Sequence, residues 1–429
     1  MKKHNTMKDI IIIGFALFAM FFGSGNLIFP PYLGRLVGEQ YVTAMIGFML
    51  MGVGLPLLGV MATAKAGGSF DEIGNKVGKT FSIILMTALI LAIGPFLAIP
   101  RTAATTFEIS IRPFLPSVSP FIIIAIYFGI NLFFVLSPNS IVDIIGKFLT
   151  PALLITLLIL IVKGVLVPVS TLTDNTLPNT FTASLIEGYQ TMDALAAVCF
   201  GGIIVTTIKS KGYTSTNEVI KMTLKSSLIA IGGLGIIYGG LMYLGAHTTN
   251  LVGEIEKTAL VIMLAQQILG SAGTVFLSVA VALACLTTSI GLTTTGATYF
   301  SNLSRGKLSY KVAAILISVL SMGIALLGVD HIVGLTTPIL KILYPIIIVL
   351  VLLTLIGKYV SSSCVYKVTV YVTLVVVLID VLGKLFNITI LQRLMSYLPL
   401  SSVDFAWLTP ALLAFAVSKL FLCKTEKTA

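Results

Sequence analysis

Charge is the scarcest resource in this chain. Of its 429 residues only 10% are Asp, Glu, Lys or Arg, 27 basic and 16 acidic, whereas a soluble domain carries about a quarter. No water-facing surface of this size can be made from so few charges. With 57% hydrophobic residues and a mean hydropathy of +1.06, the chain reads as an all-α integral membrane protein, which excludes a soluble enzyme and a nucleic-acid binder. The net charge of +11 does not restore the second, because the basic residues are scattered between apolar runs and form no patch. Cysteine is equally sparse. Cys199, Cys285, Cys364 and Cys423 stand singly in or beside apolar runs, so neither a disulfide framework nor a C-x-x-C metal pair is expected. His4, His247 and His331 lie far apart, and no H-E-x-x-H, G-x-S-x-G or G-x-x-x-x-G-K-[ST] pattern occurs, which leaves no signature for metal, acyl or nucleotide chemistry.

Long apolar runs are what the chain has instead. A helix needs about 20 apolar residues to cross the hydrocarbon. Twelve such segments are expected, near 8–34, 41–65, 80–104, 120–137, 141–166, 187–208, 219–246, 273–303, 310–328, 332–357, 366–386 and 404–423. The basic start, Met1 to Asp9, superficially resembles a secretory signal, but the apolar run continues through Pro30 and Pro31 without a small-residue cleavage site, so it reads as a retained first span. The stretch Glu254 to Gly270, opening with Glu254, Glu256 and Lys257, reads as an external helix-bearing loop. Basic residues alternate between loops. Eighteen fall on the side of the N-terminus, against seven on the other: Arg35, Arg101, Arg112, Lys163, Lys257, Lys384 and Arg393. That asymmetry places both termini in the cytoplasm.

Three segments depart from plain apolar helix. In the first, Gly23-Ser24-Gly25-Asn26 frees the backbone to unwind and offers side chains to cap a restarting half-helix; a packing notch of small residues is the alternative. In the sixth, Gly188-Tyr189-Gln190-Thr191-Met192-Asp193-Ala194 sets a carboxylate deep in an apolar stretch, unless the helix simply begins later. Helices one to five and six to ten then carry interruptions at matching places. Five being odd, the second half enters the membrane inverted, and paired breaks of this kind point to a transporter's binding site. The domain reading is a first repeat over 1–166, an inverted repeat over 187–357 and a C-terminal helix pair over 366–423. The third feature is Ala284-Cys285-Leu286-Thr287-Thr288. Its adjacent hydroxyls suit a small hard cation, or bond back to their own helix.

Phe18-Ala19-Met20-Phe21-Phe22-Gly23-Ser24-Gly25-Asn26-Leu27-Ile28-Phe29-Pro30-Pro31, Gly94-Pro95-Phe96-Leu97-Ala98-Ile99-Pro100-Arg101-Thr102-Ala103 and Glu187-Gly188-Tyr189-Gln190-Thr191-Met192-Asp193-Ala194-Leu195 resemble the bacterial branched-chain amino acid:cation symporters over nearly the whole chain. A more distant similarity links that family to the bacterial leucine-transporter fold. The resemblance implies a sodium-coupled importer of leucine, isoleucine and valine in the bacterial cytoplasmic membrane, working by alternating access, with Na+ as coupling ion and no prosthetic group. It implies that Na+ is held by carbonyls of Ala19, Phe22 and Ala284 and hydroxyls of Thr287 and Thr288. The substrate carboxylate would meet backbone N–H groups of Ser24, Gly25 and Asn26 beside Gly23. Its ammonium would meet carbonyls near Phe21, Tyr189 and Gln190, with Thr191 close by. Phe96, Met192, Leu195 and Ile290 would wall its side chain. Asp193 has no obvious counterpart in the leucine-transporter fold and is left between a cation ligand, a proton acceptor and a helix cap. Transport of another small substrate or proton coupling on the same fold, and less readily an ion channel or intramembrane enzyme, remain as rivals. Arg101 and Glu108 are expected as an ion pair or gate toward the outer end of the third span.

Overall fold

The computed structural model describes residues 6–137, 141–173, 177–250, 253–357, 360 and 362–422, and the side chains of 141–152 and 421–422 lie outside that description. Every regular element within it is helical, and the helices of eight residues or more are α1 Thr6–Phe21, α2 Ser24–Val37, α3 Tyr41–Lys65, α4 Lys79–Ile111, α5 Pro120–Leu136, α6 Ile141–Leu166, α7 Thr180–Tyr189, α8 Asp193–Ser210, α9 Thr216–Ala246, α10 Lys257–Leu303, α11 Tyr310–Ala325, α12 Val329–Leu355, α13 Ser363–Leu385, α14 Thr389–Ser396 and α15 Leu408–Val417. Among the described residues seven are long and apolar enough to cross a membrane, or eight if α1 and α2 are one bent span; α5, α11, α15 and the described part of α6, Leu153–Leu166, are apolar but shorter. Each stretch marked in the sequence falls on one of these helices or helix pairs. Length and hydropathy by themselves support seven or eight spans rather than the expected twelve.

Apolar side chains cover the outside of the bundle as well as filling its core. On α5 the residues Phe121, Ile122, Ile126 and Phe133 are exposed, while Asn131 is fully buried and donates from Nδ2 to Thr293 Oγ1 of α10 at 3.3 Å. Apolar side chains on the outside, with polar ones turned toward neighbouring helices, are what lipid demands of a helix bundle.

The helices sort into two packed bodies. In one, α9 lies against both α1 and α2, and α3 lies against α7 and α8. In the other, α10 packs on α4, α6 and α11, and α11 packs on α5. Backbone contact welds the first body: a Cβ on Gly34 would sit 2.0 Å from the Met242 carbonyl oxygen, and one on Gly245 would sit 1.9 Å from that of Pro31. Only glycine lets α2 and α9 cross this closely. Beside these bodies, α12 and α13 pack together and α13 carries α15.

Two helix boundaries fall at the polar stretches. Phe21 ends α1, Ser24 begins α2, and the axis bends by 73° between them. Residues 190–192 separate α7 from α8, with Met192 at φ 61°. The external stretch is continuous with the helix after it: α10 starts at Lys257 and is kinked at Gly270, whose φ is 74°. One expectation about cysteine fails. Cys364 is disulfide-bonded, Cys199 and Cys285 are free, and Cys423 lies outside the described residues.

Candidate functional site

The joint between α1 and α2 is capped by its own sequence. Asn26, one turn into α2, accepts the Gly23 N–H on Oδ1 at 3.1 Å, which satisfies a donor that the broken helix frees. Its Nδ2 then donates to Asp193 Oδ2 at 2.6 Å and meets the Tyr238 hydroxyl of α9. Asn26 is 1% exposed and Asp193 5%, so one buried amide ties both joints to α9. At the second joint Thr191 Oγ1 donates to the Gly188 carbonyl at 3.0 Å and accepts the Asp193 N–H at 3.3 Å. Asp193 is therefore the first residue of α8, with its carboxylate turned across to α2.

Opposite these joints stands α4, whose own helix is irregular. It carries a π-helical turn at Ala92–Phe96, a non-helical Gly94 (φ −90°, ψ −119°), Pro95, and a second π-helical turn at Thr106–Ile111. Proline removes a helix donor, and π-bulges re-aim the side chains that follow them. Between them Arg101 turns inward and is 3% exposed. Its Nη1 donates to the Gln190 carbonyl at 2.6 Å, and its guanidinium lies 5.3 Å from the centre of the Phe29 ring. A Cβ on Gly25 would be 2.7 Å from Nη2. Arg101 thus occupies the side of α2 where the resemblance put substrate against Gly25.

The parts meet around a cavity with about 40 Å³ of free space. Of the expected residues, Phe21, Gly23, Ser24, Asn26, Thr191, Met192, Asp193 and Thr288 line it, joined by Met20, Ile93, Ala98, Arg101, Thr102, Ala196, Phe200 and Leu292. The structure does not bring the others to it. Phe96 turns away and is 41% exposed, while Leu195 and Ile290 are buried in the helix packing. Tyr189 stacks on Tyr344 at 4.0 Å, and Gln190 donates from Nε2 to Thr337 at 2.8 Å, so both brace the α7–α8 joint from behind. Among the residues of the cation set, Thr287 donates to the Ala284 carbonyl at 2.9 Å. Thr288 Oγ1 lies 3.9 Å from where a Gly23 Cβ would be, so this helix faces the α1–α2 joint at Thr288. Phe22 stacks on Phe18 at 5.6 Å and, like Ala19, is at the end of α1 beside it.

Arg101 does not pair with Glu108. Glu108 instead accepts the Thr258 hydroxyl on Oε2 at 2.7 Å and the Val329 N–H on Oε1 at 2.9 Å, at the start of α10 and of α12. The sequence did carry a signal for the different place of Arg101. It is the single charge between Lys79 and Glu108, and an ionisable group in such a run marks a site.

Comparison with known proteins places the chain in a family. The family model described as "Branched-chain amino acid transport protein" matches residues 6–425. The branched-chain amino acid permease BraB of Bacillus subtilis is 41% identical over 366 residues, 83% of this chain and 82% of that one. Among solved structures, the nucleobase-cation-symport-1 family transporter Mhp1, closed with bromovinylhydantoin bound, superposes with a TM-score of 0.62 at 13% identity, covering 97% of this chain and 94% of that one. A substrate-bound, outward-open Na+-coupled sialic acid symporter gives 0.61 at 13% identity, covering 97% and 90%. The structural likenesses establish a shared transporter fold, and the sequence matches go further: the chain belongs to the branched-chain amino acid transport protein family.

Proposed function

We infer that the chain imports leucine, isoleucine and valine across the bacterial cytoplasmic membrane, driven by a sodium gradient. The observation that carries this reading is the meeting of two interrupted helices and one buried arginine around one narrow cavity. About 40 Å³ admits only two or three water molecules, far less than a leucine. For substrate to enter, the body holding α1, α2, α7 and α8 has to separate from the one holding α4 and α10, and sealing the cavity again on the other side completes alternating access. The resulting architecture is twelve spans, with 1–166 and 187–357 as inverted five-helix repeats and 366–423 as an added pair. Both termini are cytoplasmic.

For sodium coupling the proposed ligands are the carbonyls of Ala19, Phe22 and Ala284 and the hydroxyls of Thr287 and Thr288, of which Thr288 faces the α1–α2 joint. All are hard oxygens of the type such an ion prefers. The Na+-coupled sialic acid symporter shares the fold, and BraB carries the substrate class in its name. An ion bound beside the joint orders the end of α1 and so favours the conformation that accepts substrate, which is how an ion gradient drives uptake.

The test is uptake of labelled leucine by purified protein in proteoliposomes. Uptake should rise severalfold with an inward sodium gradient and be competed by valine and isoleucine. Uptake that follows a proton gradient without sodium would instead make the buried carboxylate of Asp193 the coupling group.

A further inference from the structure

The cavity is lined by two buried side chains of opposite charge that do not touch. Arg101 reaches it from α4 and Asp193 from the first turn of α8. Among the described residues the ion pairs lie elsewhere, for example Lys211 with Asp9 at 2.8 Å and Lys257 with Asp330 at 2.8 Å, and none joins Arg101 to Asp193. Arg101 is also under-satisfied. One N–H goes to the Gln190 carbonyl, and Nε is buried without a partner. A guanidinium carries five N–H donors in a fork matched to a carboxylate. Asp193 has Asn26 on Oδ2 and faces the cavity beside it.

Resting on the transport reading above, we propose that the substrate zwitterion is recognised by this separated pair, its carboxylate by the fork of Arg101 and its α-ammonium by Asp193. This replaces recognition by the bare N-terminus of α2, because the guanidinium already lies against Gly25 at that helix start. It gives Asp193 a role that neither a helix cap nor a cation site requires. It also gives a reason for two opposite charges to line one dry cavity without pairing: each is kept for the oppositely charged group of the substrate. Recognition is then two-point. A compound with either charge missing leaves one buried ion unmatched, which costs more than a lost contact.

The experiment measures competition against labelled leucine binding to purified protein by leucine, by leucinamide, which lacks the carboxylate charge, and by 4-methylpentanoate, which lacks the ammonium. The wild type should prefer leucine to each analogue by about 10- to 100-fold, as expected for hydrogen bonds to charged groups. In Arg101→Gln the preference over leucinamide should collapse toward unity while that over 4-methylpentanoate persists, and in Asp193→Asn the reverse should hold. Arg101→Lys keeps the charge but not the fork and should show a reduced, non-zero preference over leucinamide; together with the wild type it decides the matter if the neutral variants do not fold. A wild type indifferent to leucinamide, an Arg101→Gln protein that keeps the full preference, or an Arg101→Lys protein unchanged from wild type would overturn the proposal. Absence of leucine binding by the wild type would instead overturn the transport reading.

Discussion

Gly23 and Gly25 are two residues apart, yet the structure asks different things of them. A Cβ on Gly23 would meet its nearest neighbour at 3.7 Å, whereas one on Gly25 would meet Arg101 Nη2 at 2.7 Å and Phe29 at 3.1 Å. Gly25→Ala should therefore displace the guanidinium and reduce uptake at least tenfold, and Gly23→Ala should retain most of it. Equal loss in both, measured as initial rate per folded protein, would contradict the packing. The glycine pair was readable from sequence as a break or a notch, and the structure makes it both: a break at Gly23, a seat for Arg101 at Gly25. A second expectation belongs to Thr288. Thr288→Ala should raise the sodium concentration for half-maximal uptake about five- to 150-fold, the range for one unreplaced polar partner and its linkage. Leucine affinity at saturating sodium should change far less. An unaltered sodium dependence would remove Thr288 from the cation set.

At the scale of elements, Glu108 is placed to hold α10 and α12 together at their starts. Its two oxygens bond Thr258 and Val329, and a carboxylate at helix N-termini is favourable in its own right. Glu108→Ala loses both bonds, about 1–3 kcal/mol, enough to shift a balanced conformational equilibrium roughly fivefold or more. A cysteine introduced at Ala98 in the cavity should then react faster with an impermeant thiol reagent, and unchanged reactivity would show that Glu108 holds nothing that moves. The misreading of Glu108 and Arg101 as partners has a physical origin. They are seven apart, nearly two regular helical turns, and the sequence boundary was drawn near residue 104. The π-helical turn at Thr106–Ile111 rotates Glu108 away, and α4 runs to Ile111, so Arg101 is interior rather than terminal. Hydropathy locates a helix but is blind to its local winding. The breaks themselves were legible, because glycine pairs and polar groups inside an apolar run are unusual enough to stand out. Phe96, Leu195 and Ile290 were not, since an apolar residue looks the same in a packed interface, against lipid and against a substrate.

For the whole molecule, the basic asymmetry predicts its orientation. With both termini cytoplasmic, a cysteine replacing Lys8 should be protected from an impermeant reagent in intact cells and labelled in permeabilised ones; labelling in intact cells would invert the topology. Orientation also fixes the direction of voltage. In the proposed recognition Arg101 and a charged Asp193 sum to zero, and so does a leucine zwitterion, so the loaded cavity would carry net charge only through the proposed sodium ion. The membrane potential, worth about 2.3 kcal/mol per elementary charge at 100 mV, then acts on the ion and is indifferent to the amino acid. On the proposed sodium coupling, a carrier built around a neutral pair separates electricity from substrate: each amino acid taken up should draw the same inward current in reconstituted vesicles, however large or small its side chain, and a current that varied with the side chain would contradict the neutral pair.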